Sequence, residues 1–412
     1  MKKRYLLISI AFLATTSCLM SQVVYEISDC IRTGLDRNFS LLISRNNESV
    51  ARNNYTLGNA GYLPSLDMTG RYSGTVNDTR RNLSDGTETS SDGDHNTTAT
   101  VGLSMGLTVF NGCNVQTTYK KLGELKQVGE LNTQLAVENL VAQIVSAYYN
   151  YIQQIELLNN LKYAVVLSKE RLRIDEDRYL LGSSSKMQVL QSRVYLNADS
   201  SRLSRQYEVV RAAQVRLNEL MAVDDMSQTF TTPDTAIIVN PGLLYESLFE
   251  QTLQNNTNLK IASSNKTISE YDKKIIISRS YPYLTASSGY NYSINNYSSG
   301  ATDRQYTNGL NYGLSMGINL FDGFNQQRSI RNSIIDINTR ELRYQEAEQG
   351  IKADLITLYS AYSNYLRLIT LEYQNLQTAA ENLEIAIEMY KLGSLSGIDL
   401  REVQKKIGRA HV

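Results

Sequence analysis

The stretch that decides the fold is residues 306–320, which read Tyr-Thr-Asn-Gly-Leu-Asn-Tyr-Gly-Leu-Ser-Met-Gly-Ile-Asn-Leu. Most even-numbered positions are apolar or tyrosine, and the odd-numbered positions are small or polar. Because successive side chains of a strand point to opposite faces, this alternation predicts a β-strand with one apolar and one small, polar face. Residues 98–109 show the same alternation, and residues 66–72 and 290–295 show shorter versions of it. Four such strands suit either a transmembrane barrel or a soluble sandwich.

The four strands belong to two similar halves of the chain. Phe110-Asn111-Gly112 recurs as Phe321-Asp322-Gly323, and Tyr179-Leu180-Leu181-Gly182 recurs as Tyr390-Lys391-Leu392-Gly393. Asn38, Leu41, Ile43, Asn47 and Pro64 recur in the same order as Asn256, Leu259, Ile261, Asn265 and Pro282. A period this long indicates a duplicated structural half rather than a solenoid unit.

The repeat predicts the domain organisation. Residues 22–222 form the first structural repeat and residues 242–412 the second, each reading helix, strand, strand, long helix, turn, helix. Residues 223–241 are the linker, in which Pro233 and Pro241 interrupt any helix. From the spacing of the repeat, we expect the last helix of the second half to be truncated at the C-terminus.

The longest predicted helices carry a coiled-coil pattern. From Leu355 to Tyr390, apolar and tyrosine positions alternate spacings of four and three residues without a slip. Proline is absent from residues 114–181 and 324–392, so each stretch is predicted to form one helix of roughly 100 Å. A plain coiled-coil stalk would show the same pattern, but a stalk does not need two pairs of strands between its helices.

Four strands in one chain are too few to close a transmembrane barrel. An open sheet in lipid would leave backbone groups at its edges without hydrogen-bond partners, which is prohibitively costly. Three chains that contribute four strands each would close the barrel. The strands therefore predict an oligomer.

The N-terminus is typical of an exported protein. Met1-Lys2-Lys3-Arg4 precedes an apolar run from Tyr5 to Ala14 and then the small residues Thr15-Thr16-Ser17, the three parts of a secretory signal. We assign residues 1–21 to this signal peptide. Lipidation of Cys18 is the alternative, although Thr15 stands where lipoprotein signals usually carry leucine.

Composition narrows the function classes. The chain has 41 basic and 41 acidic residues, so its charge gives no indication of nucleic-acid binding. It has only 4 prolines and no tryptophan, which favours long helices over several compact cores. The only histidines are His95 and His411, which argues against a histidine-based triad or zinc site. We therefore predict a non-enzyme without cofactor or metal.

Taken together, the motifs resemble those of the TolC-like outer-membrane efflux proteins. They are Gly61-Tyr62-Leu63-Pro64-Ser65-Leu66 with its echo Tyr281-Pro282-Tyr283-Leu284, the two Phe-Asn/Asp-Gly motifs, and the turns at Gly182-Ser183 and Gly393-Ser394. The resemblance implies an α+β membrane protein, a homotrimer in which four β-strands per chain build a shared transmembrane β-barrel. A long α-helical coiled-coil tunnel would continue this barrel from the bacterial outer membrane into the periplasm.

The resemblance also implies partners. A periplasmic adaptor protein and an inner-membrane pump would complete the assembly, and outer-membrane lipid would surround the strands. The residues implied to meet the adaptor lie at the turns: Gly182, Ser183, Ser184, Gly393, Ser394 and Leu395. From the residues alone, Gly182 and Gly393 are also ordinary helix C-caps, since glycine tolerates the left-handed conformation.

The last candidate site is the periplasmic aperture. Asp399 and Glu402 lie three residues apart, so on a helix they share a face. The resemblance implies that they and Tyr390 line the closed aperture, and the alternative is a solvated helix edge. Leu395 stands where some family members carry an arginine that helps to lock neighbouring helices. We therefore expect Tyr390 to lack that partner and to rely on packing.

The expected function is a passive outer-membrane exit duct for drugs and other toxic small molecules. A metal-ion efflux or type I protein-secretion duct is the alternative on the same scaffold. A periplasmic coiled-coil structural protein that never enters the membrane is the alternative from another class. Residues 73–98 and 296–305 are rich in Ser, Asn, Thr, Gly and Asp, which predicts mobile extracellular loops between the paired strands.

Overall fold

The computed structural model describes residues 23–234 and 239–410. The predicted signal peptide and the candidate lipidation residue Cys18 lie outside the described residues. The elements in chain order are β1 (Val23–Val24), α1 (Ile27–Arg37), α2 (Phe39–Asn54), α3 (Leu57–Ala60), β2 (Ser65–Asn82), β3 (Glu88–Asn111), α4 (Asn114–Leu180), α5 (Lys186–Met221), β4 (Phe230–Thr231), α6 (Tyr245–Asn255), α7 (Thr257–Ser278), β5 (Tyr283–Asn296), β6 (Arg304–Gly317), α8 (Asn325–Leu392) and α9 (Gly397–Ala410).

The two longest helices follow the predicted proline-free stretches. α4 has 67 residues and α8 has 68, which confirms that each stretch forms one continuous helix. A short turn follows each of them, and α5 and α9 begin after these turns. In the part of the chain that the structure describes, none of the helices is both long and apolar enough to cross a membrane.

The four long strands form one antiparallel sheet in the order β2-β3-β5-β6. This confirms the four predicted strands, although β6 ends at Gly317 rather than continuing to Leu320. β2 and β6 are the edges of the sheet, so among the described residues each has one side without a backbone partner. Such edges favour pairing with another chain. Closure into a barrel stays a prediction.

The alternation of each strand produces two contrasting faces in the assembled sheet. One row across the strands consists of Met68, Leu103, Tyr290 and Leu310, and all four side chains are exposed. The neighbouring row consists of Thr69, Gly102, Asn291 and Gly309. The register therefore places large apolar side chains together on one face and small or polar residues on the other.

The prediction of a mobile loop at residues 73–98 is wrong. β2 continues to Asn82 and β3 begins at Glu88, so only residues 83–87 connect the two strands. The pairing runs from Ser73↔Thr98 to Asn82↔Glu88, with one irregularity between Asn77 and Thr79. Polar composition misled the prediction, because a two-stranded ribbon satisfies its backbone groups by pairing and needs no apolar core. The connection between β5 and β6, residues 297–303, does lie within the predicted second loop.

The described residues form two compact units, and each takes segments from both sequence halves. One unit comprises residues up to 44, residues 135–250 and residues from 353 onwards. The other comprises residues 45–134 and 251–352 and contains the four-stranded sheet. The predicted repeat boundaries do not coincide with these units, so the domain assignment stays a prediction.

The first unit has a core formed by α1, the start of α2, α4, α5 and strand β4. Its fully buried side chains include Cys30, Ile144, Tyr148, Leu217 and Met221. The Tyr148 hydroxyl donates to Oδ2 of Asp234 at 2.6 Å, so the one polar atom of this ring is satisfied inside the core. In the same unit, the last turns of α8 bury Leu383, Ala386 and Tyr390, and the candidate site is built around them.

Candidate functional site

Both helix pairs turn on a glycine in the left-handed conformation, Gly182 after α4 (φ 74°) and Gly393 after α8 (φ 84°). The Gly182 amide donates to the carbonyl of Tyr179 at 3.0 Å, and the Ser183 amide donates to the carbonyl of Arg178 at 2.9 Å. The turn after α8 has the same two bonds, 3.1 and 3.0 Å long. This is the Schellman motif, in which glycine adopts a positive φ without steric cost. The C-cap interpretation of both glycines is confirmed.

Apolar side chains surround the two turns without being covered. Leu180, Leu181, Met187, Leu392 and Ile398 are each at least 70% exposed. Exposed leucine, isoleucine and methionine side chains grouped at a turn are typical of a surface that meets another protein. The predicted docking residues share this surface: Gly182, Ser183, Gly393 and Ser394 are exposed, and Ser184 and Leu395 are half-buried.

Tyr390 lies beneath the second turn and is fully buried. Its hydroxyl donates to Oδ1 of Asp175 on α4, and Oδ2 of Asp175 accepts from Ser192 on α5. Arg178 donates to the Tyr390 carbonyl and lies 5.0 Å from the centroid of its ring. The expectation that Tyr390 relies on packing alone is therefore wrong, because a buried carboxylate and an arginine of the first helix pair contact it.

The environment of Tyr390 favours its neutral form. Burial raises the pKa of the hydroxyl, and the hydrogen bond to Asp175 raises it further. The hydroxyl also lies 3.4 Å from the side-chain amide of Gln188, which donates to it. Tyr390 thus acts as a neutral donor that joins α8 to the α4 and α5 pair.

A second buried contact joins α9 to the same helix pair. Two nitrogens of Arg401 donate to the two carboxylate oxygens of Asp199 on α5, at 2.7 and 2.6 Å. The Ser168 hydroxyl on α4 donates to the same carboxylate at 2.5 Å. The Arg401 and Asp199 side chains are only 9% and 4% exposed. This bidentate pair has the geometry of a strong charge-assisted interaction.

The pair keeps both of its members charged. Burial alone would raise the pKa of Asp199, but the hydrogen bonds from Arg401 and Ser168, with the charge of Arg401, hold that pKa below its ordinary value. The hydrogen bond to Asp199 in turn raises the pKa of Arg401. Because each charge is matched, the pair remains stable inside the protein.

Arg171 lies between the two contacts. Its guanidinium is 4.9 Å from the ring centroid of Tyr195, which Arg401 also approaches at 5.2 Å, and 5.9 Å from that of Tyr390. Its Nε is 4.0 Å from Oδ2 of Asp175. Among the described residues, neither Nε nor Nη1 of Arg171 has a hydrogen-bond partner. The aromatic faces and the carboxylate therefore stabilise this buried cation.

Asp399 belongs to the first turn of α9. Its amide donates to the Ser396 hydroxyl oxygen at 3.2 Å, and the Ser396 hydroxyl donates to its carboxylate at 2.7 Å. A serine cap and an acid in the first turn both favour a helix start. Gly397 lies between them, and a Cβ there would lie 2.7 Å from Nη2 of Arg171. The absence of a side chain at this position lets α9 approach the buried cluster.

The three predicted aperture residues do not form one cluster. Asp399 and Glu402 are exposed on α9, whereas Tyr390 is buried. Glu402 forms an exposed ion pair with Lys405 at 2.6 Å. In the single chain, Asp399 and Glu402 thus resemble a solvated helix edge, and their place at an aperture stays a prediction.

Sequence reasoning missed the buried polar residues of this site. A signal was present on α5, where Ser192, Asp199 and Gln206 recur every seventh residue, and all three are buried. Polar residues repeated on the buried side of a coiled coil indicate buried hydrogen-bond partners. Comparison of the two halves offered a second signal: Arg401 is charged, whereas its counterpart in the first half, Leu190, is apolar. The ion pair therefore exists on one side of the repeat only.

The described residues contain no group of three or more His, Cys, Asp or Glu side chains that could hold a metal ion. The arrangement at the turns consists instead of buried polar contacts beneath an exposed apolar surface. Such an arrangement can hold two helix pairs together and present their turns to a partner.

Comparison with known proteins gives one consistent result. The sequence model of the outer membrane efflux protein family matches residues 30–223 and 248–411. Outer membrane protein TolC of Vibrio cholerae is 28% identical over 184 residues, which are 44% of this chain and 40% of TolC. The match thus spans less than half the length of that relative.

Solved structures of low identity share the fold. The outer membrane protein VceC of Vibrio cholerae superposes with a TM-score of 0.77 at 14% identity, covering 93% of this chain and 90% of VceC. The CmeC outer membrane channel of Campylobacter jejuni gives a TM-score of 0.77 at 16% identity, covering 93% of this chain and 80% of CmeC.

Proposed function

This chain belongs to the outer membrane efflux protein family, and from that membership we propose that three copies form a passive exit duct for small molecules in a tripartite pump. The observation that carries the proposal is the four-stranded sheet. It has an exposed apolar face, a small polar face and two open edges. Three such sheets joined edge to edge would close a barrel with the apolar faces toward lipid and the polar faces toward a wet lumen.

The duct would act by conducting solutes without changing them chemically. The long helices α4 and α8 would form the wall of its periplasmic part, and the two turns would lie at its periplasmic end. The exposed Leu180, Leu181 and Leu392 support the turns as the surface that meets the adaptor protein, because burying such side chains stabilises a complex. The inner-membrane pump would supply the energy for export.

The closed state would be held by the buried contacts beneath the turns. The hydrogen bond from Tyr390 to Asp175 and the ion pair of Arg401 with Asp199 join the α8 and α9 pair to the α4 and α5 pair. Moving the two helix pairs apart would break both contacts. These contacts would therefore make the closed arrangement the stable one until a partner binds.

Asp399 and Glu402 would surround the mouth of the closed duct. Each occurs once per chain, so a trimer would bring six carboxylates close to one axis, where they would repel one another and attract cations. We expect a trivalent cation added on the periplasmic side to block single channels of the wild type. The Asp399→Asn, Glu402→Gln variant should be blocked much less. Equal block of both proteins would show that these residues remain a solvated helix edge.

Fractionation and conductance test the proposed function itself. We expect the protein in the outer-membrane fraction, as a trimer that dissociates on heating and that conducts ions in a planar bilayer. A periplasmic coiled-coil structural protein would instead remain in the soluble periplasmic fraction without conductance. Complementation of a strain without its own duct would then compare export of a dye, a metal ion and a secreted protein. Restored export of only the metal ion or only the protein would favour the corresponding alternative duct.

A further inference from the structure

The polar face of the sheet is almost free of charge. In the rows that cross all four strands, nearly all of its residues are serine, threonine, glycine, asparagine or glutamine. On this face of these rows the charged residues are Asp67 and Arg71, and both lie on the edge strand β2; Arg304, in the last row, belongs to the opposite face. They are four residues apart, so they share this face and are separated by about 14 Å along the strand.

The neighbours of the two charged residues are fixed by the register. Asp67 pairs with Ser104, whose row continues through Gly289 to Asn311. No side chain in that row carries an opposite charge. Asp67 is exposed, and among the described residues its carboxylate takes part in no ion pair. Its charge is therefore available to whatever occupies the space in front of this face.

Arg71 lies in a similar row. It pairs with Thr100, and the row continues through Ser293 to Thr307. Arg71 is also exposed, and its guanidinium forms no ion pair or hydrogen bond within the described part of the chain. Three short, neutral side chains thus share the row with one long cation.

Two amide side chains on this face lie over neighbouring glycines. The Asn291 side chain lies across Gly102 so closely that a Cβ at Gly102 would collide with it. The Asn311 side chain lies across Gly289 in the same way, since its Oδ1 would be 2.8 Å from a Cβ there. With these asparagines lying over neighbouring glycines, Arg71 is the longest side chain in the rows of this face that cross all four strands.

We propose that Asp67 and Arg71 offset each other's charge in the outer part of the duct, so that this part prefers neither cations nor anions. This inference rests on the proposed trimeric barrel with this face inward. Each chain would contribute one carboxylate to one ring and one guanidinium to a second ring. With the strands tilted about 40°, the rings lie about 10 Å apart along the axis. Rings of charged side chains are a general means of ion selection in pores.

The opposite charges of the two rings offset each other to an extent that depends on their separation and on the salt concentration. Their separation is close to the screening length of about 8 Å at physiological salt, so a passing ion meets each ring separately. At low salt, screening reaches about 30 Å, and the two rings then largely cancel. The wild-type lumen at this depth thus favours neither sign of charge, which suits solutes of either sign. Removing one ring exposes the effect of the other.

Reversal potentials under a KCl gradient at low ionic strength test the proposal on the full-length trimer. Asp67→Asn should shift the reversal potential toward anion selectivity, and Arg71→Gln should shift it toward cation selectivity. The double variant should return close to the wild-type value. Arg71→Thr, which matches Thr100 and Thr307 of the same row, replaces Arg71→Gln if that variant does not assemble. Asp85→Asn, in the connection beyond the four-stranded part, is the matched control with little expected shift.

The outcomes separate this inference from the proposed function. A conducting wild type whose reversal potential is unchanged in both single variants overturns the inference and leaves the duct intact. Shifts of the same sign in both variants also overturn it. A wild type that forms no conducting trimer overturns the proposed function, and the inference with it. Opposite shifts that cancel in the double variant support the inference.

Discussion

The buried pair of Asp199 and Arg401 leads to a quantitative prediction. Truncating one partner of a buried ion pair costs about 3–5 kcal/mol, because the other charge is left uncompensated. In Arg401→Gln, Asp199 keeps the Ser168 hydroxyl and also Arg202, which is 3.8 Å away and more than half exposed. Because Ser168 and, in part, the solvent-screened Arg202 still compensate Asp199, we expect a loss at the lower end, about 3 kcal/mol. In Asp199→Asn, Arg401 keeps mainly the ring of Tyr195, so the loss should be nearer 5 kcal/mol.

The double variant and the pH dependence isolate the pair. Asp199→Asn combined with Arg401→Gln leaves no unmatched charge, so the two losses should be coupled by about 1–3 kcal/mol rather than adding. The fold lowers the pKa of Asp199, so the contribution of the pair is present above the ordinary carboxyl pKa of about 3.9. This contribution is lost as the pH falls through the lower pKa of the folded state. Wild type and Asp199→Asn should therefore approach equal stability in acid, because protonation of Asp199 leaves Arg401 without a countercharge, as the substitution does.

Urea unfolding followed by circular dichroism of the helices measures these losses at a fixed protein concentration. Hydrogen exchange at the amides of α9 reports whether α9 has detached from α5. The matched control is Arg216→Gln, because Arg216 contacts Glu219 at 2.7 Å with both side chains more than half exposed. That variant should lose at most about 0.5 kcal/mol. Losses that simply add in the double variant, or a control as damaging as Arg401→Gln, would refute the reasoning.

Three further predictions concern the turns and the sheet. Tyr390→Phe should cost about 1–3 kcal/mol in urea unfolding, because it leaves the buried carboxylate of Asp175 with one donor fewer. The control is Tyr179→Phe, at the exposed counterpart of Tyr390 in the repeat, which should not change stability. Equal losses in the two variants would contradict the role assigned to Tyr390. Gly393→Ala should cost about 1–2 kcal/mol in the same assay, since alanine is strained at φ 84°, and an unchanged midpoint would argue against the observed turn. Leu314→Arg on the apolar face should cost about 2–4 kcal/mol of folding stability in lipid, while Ser315→Arg on the polar face should be milder; equal damage would favour a sheet buried on both faces.

The sequence determined most of the secondary structure through the periodicity of its apolar residues and the positions of glycine and proline. The alternation in residues 306–320 and 98–109 predicted both strands, because a half-covered strand must segregate its side chains at period two. The proline-free heptads predicted α4 and α8, and Gly182 and Gly393 marked their ends, because glycine takes the left-handed cap conformation without steric cost. These signals depend only on residues that are close in the sequence, so they can be recognised without knowing which elements pack together.

Composition was a weaker guide than pattern. Residues 73–98 have the composition of a loop, yet they pair as a ribbon along nearly their whole length. A strand that does not pack on an apolar core needs no apolar side chains on either face, so its sequence shows no apolar alternation. This segment is a strand because its backbone forms hydrogen bonds to a partner strand, and the segment's own sequence does not identify that partner.

Only the tertiary structure decided which polar residues meet. Asp199 and Arg401 are far apart in the sequence, and the repeat offers Leu190 at the position that corresponds to Arg401. Their pairing requires α9 to lie against α5, and Tyr390 reaches Asp175 only because α8 lies against α4. Likewise, the isolation of Asp67 and Arg71 on a neutral face follows from the register of four strands together. Contacts between distant residues depend on how whole elements pack, and that packing is a property of the folded chain rather than of any local stretch.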